Sequence, residues 1–345
     1  MKTLAIILLT LALIAPCAVA LAEEAPHRIG YITQFEEEEG RFTRCADAFA
    51  YAAERQGAET IILTYDLSSE DAESEESMQP GLAELMQLID EGVDAVVAVP
   101  ASLDQAKALI DCANEAGMPI VIEGMDVSSA YPPVVENTSD PYVAAIGYGD
   151  SAAFAAAMWL EDDAYNPQLF HCALPQSDPA IQAGLRRAVS SASYLDFVDE
   201  INADADSAQA GSGTVDAMYD SFTMFGCVLA DSEALAEGCA NAVRAMGDDY
   251  PVAAISSAQE ALALLENGKI DMVAATPASA EGVQTFKLIF DYLTEGVLPE
   301  TETGFVQLDA IVAARGNTAA WIADDDFEAA YAIVYPDLEE AEISK

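Results

Sequence analysis

Short apolar runs alternate with amphipathic segments along most of the 345-residue chain. In the stretch 92–122, GVDAVVAVPASLDQAKALIDCANEAGMPIVI, the run Ala95–Pro100 is rich in β-branched residues and predicts a strand buried on both faces. Pro100 has no N–H for a sheet and ends the strand. Apolar residues then recur at three- and four-residue spacing up to Gly117, which predicts a helix. A second buried strand follows at Ile120–Glu123, so the stretch predicts a βαβ unit of a parallel sheet.

The same alternation continues on both sides of this unit. The flanking strands are predicted at 28–32, 60–64 and 143–147, with helices over 42–55 and 82–90. The pattern then restarts with strands at 168–174, 195–201, 225–230, 252–255 and 271–275. Helices are predicted to begin at Pro179, after the N-cap Asp178, and to cover 232–246, 258–266 and 279–295. Gly211-Ser212-Gly213 is interpreted as a surface loop, because no strand leads directly into it.

The residues of 92–122 resemble the periplasmic sugar-binding proteins of ABC transporters, the ribose- and galactose-binding type, and the related ligand domains of LacI-type repressors. The resemblance covers essentially 27–315. It implies the type I periplasmic binding protein fold, an α/β architecture of two doubly wound parallel-sheet lobes joined by a three-crossing hinge. The crossings are expected near 147–148, 276–277 and 308–310. Lobe one would then hold 27–147 plus 278–308, and lobe two 148–277 plus 309–345.

The first residues are typical of a signal peptide and are excluded from the fold. Met1–Lys2 are positive, Leu4–Leu13 are apolar, and small residues precede Glu23, so 1–22 is predicted to be removed on export. The predicted location is the periplasm or the outer face of the cytoplasmic membrane. A lipoprotein anchor at Cys17 is the alternative, which the proline just before it disfavours. Export without a basic DNA-binding region excludes the repressor branch of the resemblance.

The net charge of the chain limits the kinds of partner that it can bind. The chain has 60 Asp and Glu against 13 Lys and Arg, a formal net charge of −47, which excludes nucleic acid. The acidic runs Glu36–Glu39 and Asp66–Glu76 are interpreted as solvated loops. A calcium site is the alternative for such runs, but neither has the alternating acidic pattern of the common calcium loop.

Cysteine and histidine usage indicates no cofactor and no metal. Of the six cysteines, Cys17 lies in the predicted signal peptide, and the other five form an odd set with no C-x-x-C pair. We interpret them as free cysteines in the core, with a disulfide as the alternative. With only His27 and His171, no His/Cys cluster has zinc-ligand spacing. The five are Cys45, Cys112, Cys172, Cys227 and Cys239.

In open parallel sheets, ligands bind beyond the carboxyl ends of the strands, so two facing lobes would form a binding cleft. The resemblance implies an aromatic clamp and polar groups for sugar hydroxyls in these loops. Much of that polar set is altered here, since Ser256 and Thr276 replace an aspartate and a glutamine of the family. Arg41 is either a ligand contact or a counter-ion for Glu36–Glu39. The candidate ligand-binding residues are Gln34, Phe35, Arg41, Phe42, Ser102, Asp126, Tyr148, Gln176, Asp178, Asp231, Ser256 and Thr276.

The predicted function is the capture of a small polar solute, sugar-like by resemblance, and its delivery to an ABC permease. The alternative partner is a membrane receptor or sensor kinase, for which the chain would be the ligand-sensing subunit. An enzyme is not expected, because His27 lies near the mature N-terminus and His171 lies in a predicted buried strand, which leaves no positioned base. The identity of the ligand stays open.

Overall fold

A computed structural model describes residues 25–36, 40–67, 79–131, 141–175, 178–221, 223–301, 303–319 and 321–336. The predicted signal peptide, Cys17 and the candidate residue Gln176 lie outside these ranges, as does most of both acidic runs. Among the helices of the described ranges, none combines the length and the apolar character needed to span a bilayer.

Two six-stranded sheets form the framework, which confirms the predicted fold class. The strands of the first sheet are β1 (Arg28–Gln34), β2 (Glu59–Tyr65), β3 (Ala95–Ala98), β4 (Ile120–Glu123), β5 (Tyr142–Gly147) and β11 (Phe305–Gln307). Those of the second are β6 (Gln168–Ala173), β7 (Asp196–Asn202), β8 (Cys227–Ala230), β9 (Val252–Ile255), β10 (Met272–Ala275) and β12 (Ile311–Ala314). Their orders are β11-β5-β4-β3-β1-β2 and β12-β10-β9-β8-β6-β7. In the described part of the chain the neighbouring strands are parallel, except that β12 runs antiparallel to β10.

Helices cover both faces of each sheet. They are α1 (Arg41–Gln56), α2 (Leu82–Glu91), α3 (Leu103–Ala116), α4 (Ser151–Asp163), α5 (Pro179–Ser191), α6 (Ala208–Asp220), α7 (Glu233–Ala245), α8 (Gln259–Glu266), α9 (Ala278–Glu295) and α10 (Phe327–Val334). The predicted caps are present: Gly117 ends α3 in the left-handed conformation, at φ 67°, and the Asp178 side chain accepts a hydrogen bond from the N–H of Ala180.

Strand β3 has the two-sided burial that its apolar run predicts. Val97 packs into the core beneath α1 and α9, whereas Val96 packs on the opposite face beneath α2 and α3. A strand between two helical layers must be apolar at every position, because neither face meets water. The continuous apolar run therefore indicates a strand in the interior of the sheet, where β3 lies between β4 and β1.

The loop predicted at 211–213 is wrong. These residues lie inside α6, which Ser207 caps by accepting a hydrogen bond from the N–H of Ala210. A Cβ added at Gly211 would lie 2.3 Å from the carbonyl oxygen of Leu235, and one added at Gly238 would lie 2.0 Å from that of Ala208. Both glycines therefore permit close packing of α6 on α7, a tertiary requirement that overrides their weak helix propensity.

We define lobe one as the first sheet with α1–α3, α9 and α10, and lobe two as the second sheet with α4–α8. The chain passes between the lobes where β5 leads into α4, β10 into α9, and β11 into β12. The assignment of all of 309–345 to lobe two is wrong for its described C-terminal part. Trp321 packs on the core of lobe two, but Ile322, Tyr331 and Val334 belong to the core of lobe one. The apolar face of α10 is buried there, so the chain crosses a fourth time.

Candidate ligand-binding cleft

The candidate residues follow the carboxyl ends of the strands, and the hinge brings the ends of the two sheets together. Arg41, after β1, donates a hydrogen bond of 2.7 Å to the carbonyl oxygen of Thr276, which follows β10. These residues are 235 positions apart in the chain. Because parallel sheets bind ligands at this edge, the surface between the lobes is the candidate cleft.

Arg41 is held by the hinge. In addition to the carbonyl of Thr276, its guanidinium donates to the carboxylate of Glu281, and it lies 5.8 Å from the ring centroid of Tyr148. Burial is the largest influence and opposes its charge, but the charges of Glu281, Cys45 and Asp324 together outweigh it and raise the pKa of Arg41. Glu36 instead accepts hydrogen bonds from Thr43, at 2.9 Å from the backbone nitrogen and 3.1 Å from the hydroxyl. The counter-ion of Arg41 in the described residues is therefore Glu281 rather than Glu36.

Two phenylalanines near β1 have different surroundings. Phe42 is half-buried and packs against the core of lobe one. Phe35 is 58% exposed and directly follows β1. Phe35 is thus an exposed aromatic side chain at the carboxyl end of β1.

Tyr148 lies within the hinge. It is buried, and its hydroxyl donates to the carbonyl oxygen of Pro277 at 3.2 Å. Nearby, the amide nitrogen of Gln307 donates to Asp150 Oδ1 at 2.5 Å. These contacts join the first crossing of the chain to the second and to the end of β11.

Asp231 anchors a buried histidine. Its Oδ1 lies 2.6 Å from Nε2 of His171, while its Oδ2 accepts a hydrogen bond from the N–H of Leu174 at 2.9 Å. The other ring nitrogen of His171 lies 2.9 Å from a carboxylate oxygen of Glu200. Burial would lower the pKa of His171, but the hydrogen bonds and charges of Asp231 and Glu200 outweigh it and raise that pKa. Both ring nitrogens of His171 therefore have partners within lobe two.

Most of the other polar candidates form local caps. Ser102 caps α3, Asp178 caps α5, and Asp126 Oδ1 accepts from the N–H of Ser128 at 2.8 Å. Ser256 donates to Glu233 at 2.6 Å. Asp126 and Asp178 are exposed and accept these hydrogen bonds through Oδ1, so each can offer Oδ2 to a ligand. Gln34, at the end of β1, is half-buried.

A buried polar cluster beneath the cleft was missed at the level of sequence. The hydroxyl of Tyr31 donates to Oε1 of Glu123 at 2.8 Å, and Sγ of Cys45 lies 3.9 Å from a carboxylate oxygen of Glu281. Burial, followed by the charge of Glu281, raises the pKa of Glu123 to about 7. The available signal was a charged residue at the end of the apolar run IVIE, since a buried carboxylate requires a partner.

Comparison with solved structures identifies the architecture. No protein-family profile and no curated protein matches the chain. A ribose ABC transporter protein of Conexibacter woesei superposes with a TM-score of 0.60 at 13% identity, over 84% of this chain and 93% of that one. An arabinose-binding protein of Geobacillus stearothermophilus gives 0.60 at 17% identity, over 86% and 100%. A solute-binding protein of Bacillus halodurans with bound myo-inositol gives 0.54 at 17%, over 90% and 99%. The chain has the fold of type I periplasmic binding proteins.

Proposed function

We propose that the protein is an extracytoplasmic solute-binding protein that captures a small polar ligand between its lobes. The observation that carries this proposal is the apposition of the two sheet edges at the hinge, where Arg41 of lobe one contacts Thr276. The sugar-binding proteins with which the chain superposes support a sugar-like ligand. Delivery of the ligand to an ABC permease is part of the proposal, because the ribose-transporter neighbour belongs to such a system by its description.

Binding would act through lobe closure. A ligand that contacts both lobes only in the closed arrangement stabilises that arrangement by its difference in affinity. The cleft offers acceptors on both sides, Asp126 on lobe one and Asp178 on lobe two. Exposed Phe35 offers a face on which the apolar side of a sugar ring can stack. This combination suits a polyol with hydroxyl donors and one apolar face.

The test is a thermal-shift screen of the purified protein with ribose, arabinose, allose and myo-inositol, followed by small-angle scattering with the best ligand. A binder raises the melting temperature by mass action and reduces the radius of gyration. Phe35→Ala should weaken binding about 3- to 10-fold, the equivalent of about 0.5–1.5 kcal/mol for an aromatic contact. The matched control is Tyr194→Ala, which removes another exposed aromatic side chain. Tyr194 lies just before the amino end of β7 in lobe two, whereas the cleft borders the carboxyl ends of the strands.

The proposal fails if no polyol at millimolar concentration changes the melting temperature. It also fails if a saturating ligand leaves the radius of gyration unchanged, because binding would then not close the lobes. Equal losses of affinity for Phe35→Ala and Tyr194→Ala would contradict the location of the site.

A further inference from the structure

Three buried side chains with metal-ligating atoms converge beneath the hinge from different elements. Cys45 comes from α1, Glu123 from the end of β4, and Glu281 from the first turn of α9. One ligand atom from each lies within 4.8 Å of the others, and each residue is only 2% exposed. Helical spacing assists the convergence, because residues four positions apart lie on one face of a helix. Arg41 therefore lies on the same face of α1 as Cys45, and Thr285 lies on the same face of α9 as Glu281.

Unpaired atoms within this cluster provide an independent indication of a ligand. Oε2 of Glu123 and the hydroxyl of Thr285 are fully buried and have no hydrogen-bond partner, although Tyr31 holds Oε1 of the same glutamate. A buried acceptor without a partner costs about 1–3 kcal/mol, and more when charged. Such atoms in a native fold indicate an ion or a water. Oε2 of Glu123 is thus a buried carboxylate oxygen without a hydrogen-bond donor, and the hydroxyl of Thr285 on α9 is also unpaired.

Charge and donor type distinguish between the candidates for this ligand. Two carboxylates face a single cation, Arg41, so one negative charge lacks compensation. A divalent cation with Cys45 as thiolate restores neutrality, since three negative charges then meet two on the metal and one on Arg41. A thiolate with carboxylates is a donor set that suits zinc and related borderline-soft cations. A proton on Glu123 would also balance the charge and would leave Cys45 as a free core cysteine, so the metal measurement below distinguishes the two.

We propose that Cys45, Glu123 and Glu281 bind a divalent cation of the zinc class. Tyr31 and Arg41 would orient the two carboxylates from outside, as hydrogen-bond donors commonly do around metal ligands. Binding displaces the thiol proton of Cys45, and any proton on Glu123, into solvent. The site lies where α9 leaves the hinge, so the cation would stiffen the base of lobe one. Sequence spacing predicts no metal site, because the three ligands are far apart in the chain.

The test measures metal directly and needs no sugar, so it is independent of the proposed function. The purified protein is incubated with zinc chloride, desalted and analysed for metal, and about one zinc ion per chain is expected. A cobalt(II) adduct should show thiolate-to-metal charge-transfer absorption in the near ultraviolet. Cys45→Ala and Glu123→Gln should abolish retention, and Tyr31→Phe should weaken affinity about 10- to 100-fold.

Cys227→Ala is the matched control, because Cys227 is equally buried but lies in β8, outside the cluster. It should retain zinc as the wild type does. Equal retention by Cys45→Ala and Cys227→Ala overturns the proposal. Retention below about a tenth of an equivalent by the wild type, with no charge-transfer band, also overturns it and leaves a proton as the counter-charge. The cobalt spectrum of the wild type decides the question even where a variant does not fold.

Discussion

Gly211 and Gly213 lie two residues apart in α6, and substitution of each by alanine should change stability in opposite directions. At Gly213, which is exposed, an added Cβ meets no atom within 4 Å. Gly213→Ala should therefore raise the free energy of unfolding by about 0.5–1 kcal/mol, the gain in helix propensity. At Gly211 the added Cβ would lie 2.3 Å from the carbonyl oxygen of Leu235, far inside normal contact distance. This steric overlap can be relieved only if α6 and α7 move apart.

Overpacking of this kind costs about 1–3 kcal/mol, so Gly211→Ala should be destabilising despite its propensity gain. Because the propensity gain is common to both variants, we expect them to differ by the overpacking cost, about 1–3 kcal/mol in the free energy of unfolding. The measurement is urea unfolding followed by far-ultraviolet circular dichroism, with unchanged m-values as the check that both variants lose the same surface. Gly238→Ala, on the facing helix, should behave as Gly211→Ala does, because its Cβ would lie 2.0 Å from the carbonyl oxygen of Ala208.

Two results would refute this reasoning. If 211–213 were a surface loop, Gly213→Ala would bring no helix-propensity gain. If α6 and α7 did not pack closely, Gly211→Ala would stabilise the protein as much as Gly213→Ala does. The pair therefore tests both the helical conformation and the helix contact.

Two further predictions concern charged groups. The pKa of His171 is raised, so its pairing with two carboxylates stabilises the fold fully below about pH 6.5, and that stability declines as pH rises through the folded-state pKa. His171→Gln should lack this decline when unfolding free energies are measured from pH 5 to 9, and a wild-type profile flat above pH 6 would contradict the assignment. Arg41→Lys keeps the charge but not the planar fork that reaches Thr276 and Glu281 together, and should cost about 1 kcal/mol because the side chain is partly exposed. Exposed Arg244→Lys is its control in the same denaturation assay, and equal losses for the two would exclude a hinge role.

Features that depend on neighbouring residues could be predicted from the sequence. The two-sided burial of β3, the end of α3 at Gly117 and the N-cap at Asp178 each follow from a few consecutive residues. The local preference of glycine predicted the wrong structure at 211–213, because Gly211 serves the contact with a helix more than twenty positions away. The path of the C-terminus was equally hidden, since α10 could bury its apolar face on either lobe.

The candidate site divides in the same way. Strand ends could be predicted from apolar runs, and with them the loops that border the cleft, because chain direction in a parallel sheet decides which ends meet. The role of each side chain in those loops could not be predicted from the sequence. Ser102 and Asp178 form caps, and Asp231 holds His171 in the core.

The linear order of residues determined most of the elements, the strongly negative charge and the α/β class, because all three depend on composition and short-range pattern. Only the tertiary structure decided which charges are partners. Arg41 and Glu281 are 240 positions apart, yet they form an ion pair at the hinge. The strength of such a pair depends on distance and on burial, which change the interaction energy many-fold. Neither quantity is a property of the sequence until distant segments have packed together.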